Sequence, residues 1–174
     1  KKRKSRNKAQ ILANETRCIY CDGPPQSLEH MPPRSIFRDR LRLSGLEFAC
    51  CDKCNHGTRA ADAIAALISF IPRPGEQRDW HFSGMSRLLS AADNLAPGFR
   101  REVVGHNGGV FRWFTTRSGL VQRGYEIRGN GPIMVRHLDV FSAKLGMALF
   151  REHTGSPLPV DGCVYSVWFL NGGL

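Results

Sequence analysis

Cys18-Ile19-Tyr20-Cys21 and Cys51-Asp52-Lys53-Cys54 are two Cys-x-x-Cys pairs separated by 29 residues, and their reading decides the fold. Two residues between cysteines let both thiolates reach one ion from a tight turn, and two such turns complete a tetrahedron. A single pair says little. Two within one short segment point to structural zinc held by Cys18, Cys21, Cys51 and Cys54. With every position filled by thiolate, such an ion holds the fold and does no chemistry. Cys50 competes with Cys51 for the ion, and the two-residue spacing favours Cys51. The rival use of these thiols, a redox dithiol, wants one pair opening a helix in a thioredoxin-like βαβ setting, which is absent. Disulfide staples suit small secreted domains, and no leader-like apolar core follows the basic start.

Between the two pairs lies Leu28-Glu29-His30-Met31-Pro32-Pro33-Arg34-Ser35, and the second pair runs directly into Asn55-His56. The order is a Cys pair, an acid-His pair with prolines soon after, then a Cys pair followed at once by Asn. This combination resembles the HNH, or His-Me finger, endonucleases, in particular the zinc-bearing, four-cysteine members of the endonuclease VII type. The resemblance covers about residues 16–71. It implies an α+β fold: a zinc-pinned ββα-metal module, followed by a C-terminal α+β extension. It also implies hydrolysis of DNA phosphodiester bonds by a one-metal mechanism. His30 is then the general base, and Glu29 and Asn55 are ligands of a catalytic Mg²⁺ or Mn²⁺, with His56 as a substitute or supplementary ligand.

Elementary chemistry supports the same assignment. Cutting a phosphodiester needs an activated water and positive charge near the phosphorus oxygens. A neutral His is the usual base near pH 7. A hard cation takes oxygen ligands and keeps several waters, so one carboxylate and one amide carbonyl are a sufficient share. Three departures from the family pattern stand out. The Asn expected shortly before the second Cys pair is replaced by Leu46-Glu47-Phe48, so a backbone carbonyl or Glu47 must orient His30. Glu29 stands where Asp is commoner. His56 follows Asn55 as a further donor.

The chain has 174 residues with a formal net charge of +10. Lys1, Lys2, Arg3, Lys4, Arg6 and Lys8 form an acid-free arm, which suits non-specific contact with phosphates through counterion release. Arg34, Arg38, Arg40, Arg42 and Arg59 flank the proposed cleft and are candidates for further phosphate contacts. DNA is the expected partner and RNA the second. No apolar run approaches the about eighteen residues that a membrane-spanning helix needs. The expected setting is cytoplasmic and nucleoid-associated, with a nuclear address as the other use of the basic arm.

The expected organisation is a basic arm over 1–15, the nuclease module over 16–71, a linker over 72–82 and the extension over 83–174. Apolar residues at three- and four-residue steps predict helices from Thr58 to Ile71, Ser83 to Asn94 and Val135 to His153. Strands are predicted over Phe99–Val104, Val110–Thr116, Leu120–Ile127 and Cys163–Leu170. Trp113 is expected in the core before it is a base-stacking platform, and Cys163 is expected to be a buried small hydrophobe. The extension carries no catalytic motif and suits dimerisation, docking to a larger assembly or substrate choice. The rival reading of the whole chain is a zinc-stabilised nucleic-acid-binding or interaction module with a degenerate nuclease site.

Overall fold

A computed structural model describes residues 8–37, 45–71, 81–105, 110–115, 118–126 and 129–166. In chain order the elements are α1 (Lys8–Asn14), β1 (Ser27–His30), a 3₁₀ turn (Arg34–Ile36), β2 (Glu47–Cys50), α2 (Asp52–Gly57), α3 (Arg59–Ser69), α4 (His81–Leu95), α5 (Phe99–Val104), β3 (Val110–Thr115), β4 (Val121–Glu126) and α6 (Pro132–Thr154). The mixture is α+β, with two separate two-stranded sheets. No helix among the described residues is long and apolar enough to cross a membrane. Packing divides the chain into two units. One takes the chain up to Arg34, the stretch ending at Thr58, and everything from Asp139 on; the other takes Arg59–Leu138 and a short piece beginning at Ser35.

In the first unit β1 and β2 pair antiparallel, with Ser27 opposite Cys50, Leu28 opposite Ala49, Glu29 opposite Phe48 and His30 opposite Glu47. Successive side chains point to alternate faces, so Glu29 shares a face with Phe48, and His30 shares the other with Glu47. The later turns of α6 supply Phe141, Leu145 and Ala148 to a core with Ile19, Met31 and Phe48. Their steps of four and three residues are those of one helical face. Arg151 near the end of α6 pairs with Glu15, and Arg17 donates to the Leu158 carbonyl. The short α1 buries Ile11.

The second unit is built on Ala60, Ile64 and Leu67 of α3, Ala92 of α4, Ala96 just beyond the end of α4, Phe99 and Val103 of α5, and Met134 of α6. Phe99–Val104 is a helix and not the expected strand. Phe99 and Val103 lie four apart and are both buried, so the helical period wins over the β preference of Val103-Val104. Gly98 starts this helix in the left-handed region at φ 91°. Glu102 then does the work of a cap for α6: its carboxylate accepts from the backbone N–H of Ile133 and of Met134, each at 2.8 Å. Gly131 leaves room for this carboxylate, since a Cβ there would make the Glu102 side chain shift. Glu102→Ala should lower stability by about 2 kcal/mol through loss of two charge-assisted bonds, read from the urea midpoint. A change below about 0.5 kcal/mol would place that variant among ordinary surface substitutions and refute the capping role.

The predicted helices over Ser83–Asn94 and Val135–His153 are present as α4 and α6, and the meander strands as β3 and β4. The helix expected from Thr58 is α3, with α2 as a separate piece before it. Thr58 separates the two because its hydroxyl bonds back to the Cys54 carbonyl at 2.9 Å and ends α2. Residues 163–166 are irregular, and the rest of the expected last strand lies outside the described residues. Cys163 is exposed, not buried. Trp113 is 71% exposed, because among the described residues β3 and β4 form a ribbon of two strands without a further strand beside them.

Candidate functional site

The site begins with two turns that present sulfur. Cys18 N–H bonds to Gly23 O at 2.8 Å and closes the first turn, while Ile19 N–H bonds to Ala49 O at 2.9 Å and ties it to β2. Backbone N–H groups then point at the sulfurs: Tyr20 at Cys18 (3.3 Å), Gly23 at Cys21 (3.4 Å) and Cys54 at Cys51 (3.4 Å). These bonds hold the sulfurs in place. Cys51 is also the N-cap of α2, so one residue serves as ligand and starts the helix.

The Sγ atoms of Cys18, Cys21, Cys51 and Cys54 lie within 4.8 Å of one another. Cys21 is 3.6 Å from both Cys51 and Cys54. Zinc–sulfur bonds of about 2.3 Å in a tetrahedron require sulfur separations of roughly 3.8 Å. The cluster therefore suits a tetrahedral ion such as zinc, and the six cysteines form no disulfide. Burial, and then the neighbouring Cys51 and Cys21 sulfurs, push the Cys54 thiol up. A divalent ion at the centre removes that obstacle, since its charge stabilises four adjacent thiolates.

Cys50 stands outside the quartet. Its Sγ lies 3.7 Å from Cys18 Sγ and 3.4 Å from the Cys51 carbonyl oxygen. The sulfur–sulfur bond with Cys50 is the main cause that brings the Cys18 thiol down to about 4, against the upward push of burial. Cys50 itself is pushed far up, first by that bond and then by burial. It is a buried thiol beside Cys18, and the clustered quartet contains Cys51 in its place.

His30 ends β1, and its Nδ1 lies 3.9 Å from Glu47 Oε1 across the strand pair. That is an electrostatic contact, longer than a hydrogen bond. Gly45 N–H bonds to Glu47 Oε2 at 2.8 Å and fixes the carboxylate. Asn55 on α2 reaches back to β1, its Nδ2 donating to Ser27 Oγ (3.0 Å) and Leu28 O (3.5 Å). His56 is exposed, with Nδ1 2.8 Å from the Asp52 carbonyl of its own helix.

Glu29 is the surprise. Its Oε1 accepts from the His30 N–H at 3.0 Å, and its Oε2 lies 3.4 Å from Lys144 Nζ. Both side chains are only 4% exposed. Glu29 and Asn55 offer the oxygen donors that Mg²⁺ or Mn²⁺ takes. As placed they do not fit one, because an ammonium already holds the carboxylate. Among the described residues, the cysteine quartet is the group of His, Cys, Asp and Glu ligand atoms close enough to hold an ion.

No protein-family model, curated protein or solved structure matches the chain.

Of the expected phosphate contacts, Arg34 lies in the first unit and Arg59 in the second. Lys1, Lys2, Arg3, Lys4, Arg38, Arg40 and Arg42 lie outside the described residues. Lys144 escaped the sequence reading, although a signal was present. It falls three residues after Phe141 and four before Ala148, so it interrupts the apolar face of α6 with a charge.

Proposed function

We propose that this chain is an HNH-type endonuclease acting on DNA, with structural zinc on the cysteine quartet and His30 as general base. The observation that carries this reading is a histidine at the end of a cysteine-clasped hairpin, facing a carboxylate fixed by its own backbone bond. On this reading the neutral imidazole of His30 takes a proton from water, with the Glu47 carboxylate 3.9 Å from Nδ1 beside it. Glu47 orients His30, the part given in the family to the missing Asn, and its charge also favours the imidazolium that forms. Arg34, Arg59 and the basic arm supply positive charge for the DNA backbone, in a cytoplasmic, nucleoid-associated setting. The Mg²⁺ or Mn²⁺ that the resemblance implies at Glu29 and Asn55 has no part in this reading, because Lys144 already engages that carboxylate.

The test is nicking of supercoiled plasmid in Mg²⁺, Mn²⁺, Ni²⁺ and EDTA. His30→Ala should reduce nicking by about 10²-fold or more at unchanged zinc content. Glu47→Ala should reduce it by about tenfold, the scale of losing an orienting partner. Undiminished cutting by His30→Ala would remove His30 as the base.

A second reading is a zinc-stabilised nucleic-acid-binding or interaction module without chemistry. The Glu29–Lys144 pair favours it, since that pair engages the carboxylate a catalytic ion would use. It predicts salt-sensitive DNA binding and no nicked product in any of the four conditions.

A further inference from the structure

We propose that Lys144 is the resident cation of Glu29, so that the site carries its own positive charge and admits a divalent ion at Glu29 only when Lys144 is removed. The inference rests on the reading above in taking Glu29 as the cation-facing carboxylate, but its readout is ion binding and not cutting.

Among the described residues, Glu29 and Lys144 are the buried charged side chains. They come from opposite ends of the chain, one from β1 and one from α6. Their Nζ–Oε2 separation of 3.4 Å makes them a direct ion pair. Lys144 occupies a position on α6 whose neighbours Phe141, Leu145 and Ala148 pack into the apolar core. An apolar side chain would serve packing there at no desolvation cost, so an ammonium at that place requires a charged partner. The Tyr20 ring also faces Nζ, 5.7 Å from its centroid, and further favours a cation at this point. The other Glu29 oxygen is tied to the His30 N–H. One carboxylate thus links the ammonium to the backbone of the proposed base. A divalent ion on Oε2 would sit within a few ångströms of Nζ in a water-poor interior, where like charges repel strongly. The two cations exclude each other.

The experiment titrates the zinc-loaded full chain with Mn²⁺ and follows free Mn²⁺ by electron paramagnetic resonance. The wild type should show no Mn²⁺ site that depends on Glu29. Lys144→Ala and Lys144→Met should each gain one site, about tenfold tighter or more than any in the wild type. Lys144→Arg should gain none, and adding Glu29→Gln to Lys144→Ala should abolish the gain. A merely structural lysine would not produce a new ion site. A wild-type site removed by Glu29→Gln, or a folded Lys144→Met that gains nothing, overturns the proposal. If neither neutral lysine variant folds, the wild type still decides. Its His30 and Met31 resonances should escape broadening by Mn²⁺, and their selective broadening would refute the proposal. Wild-type plasmid nicking, measured separately, judges the nuclease reading whichever way the Mn²⁺ result falls.

Discussion

Withdrawing metal from the cysteine quartet should unfold the β1–β2 hairpin and the two turns that present its sulfurs. The core of that unit is small: among the described residues, Ile11, Ile19, Met31, Phe48, Ala49 and Ala148 are its buried apolar members apart from the sulfur cluster. Burial of so few side chains contributes only a few kcal/mol each and is opposed by the ordering of a loop-rich segment. Structural zinc in comparable small modules contributes about 10 kcal/mol or more of apparent binding free energy, which becomes folding free energy. Zinc content and circular dichroism should therefore fall together on chelation. Cys51→Ser and Cys54→Ser should behave like the chelated protein. Cys50→Ser should keep its zinc, because Cys50 touches a ligand without being one, and should cost about 1 kcal/mol for the lost thiol contact. Retained zinc in Cys51→Ser with lost zinc in Cys50→Ser would reverse the ligand assignment.

The second large effect concerns the buried pair. Lys144→Met removes an ammonium and leaves the Glu29 carboxylate enclosed without it, which should cost about 3–5 kcal/mol. Glu29→Leu should cost a similar amount by leaving Lys144 enclosed. Combining Glu29→Leu with Lys144→Met should recover most of the loss, to within about 1 kcal/mol of the wild type. Two apolar groups of similar volume fit where two charges were desolvated together. Urea denaturation of the four proteins gives the coupling directly. Additive losses in the double variant would mean that the two groups do not depend on each other. The pair would then be two separate packing residues.

The cysteine quartet was legible because ligand spacing is a local property: each pair fits one turn and needs no knowledge of the rest of the chain. Helices α3, α4 and α6 were legible from apolar periodicity, and β3–β4 from the glycine-containing turns beside them. α5 was not, since six residues containing Val103 and Val104 satisfy either period until Phe99 is seen to pack with Val103. Glu47 was offered from sequence as a stand-in for the missing Asn, and the strand register sets it opposite His30. The Glu29–Lys144 pair could not be found that way. An acid beside a histidine looks like a ligand until a residue from another element is brought onto it. Which lysine approaches Glu29 depends on how α6 lies on the hairpin, and no local pattern encodes that.

The arrangement of α6 has a practical bearing on how this protein can be dissected. A fragment ending after Ile71 would contain all four clustered cysteines, His30, Glu47 and Asn55, and on motif grounds it would look self-sufficient. It would nonetheless expose Met31 and Phe48 where Phe141, Leu145 and Ala148 had covered them, and it would leave the Glu29 carboxylate without its ammonium. The conventional boundary of a motif is therefore a poor place to cut this chain, whose first hairpin is completed by nearly its last helix turns.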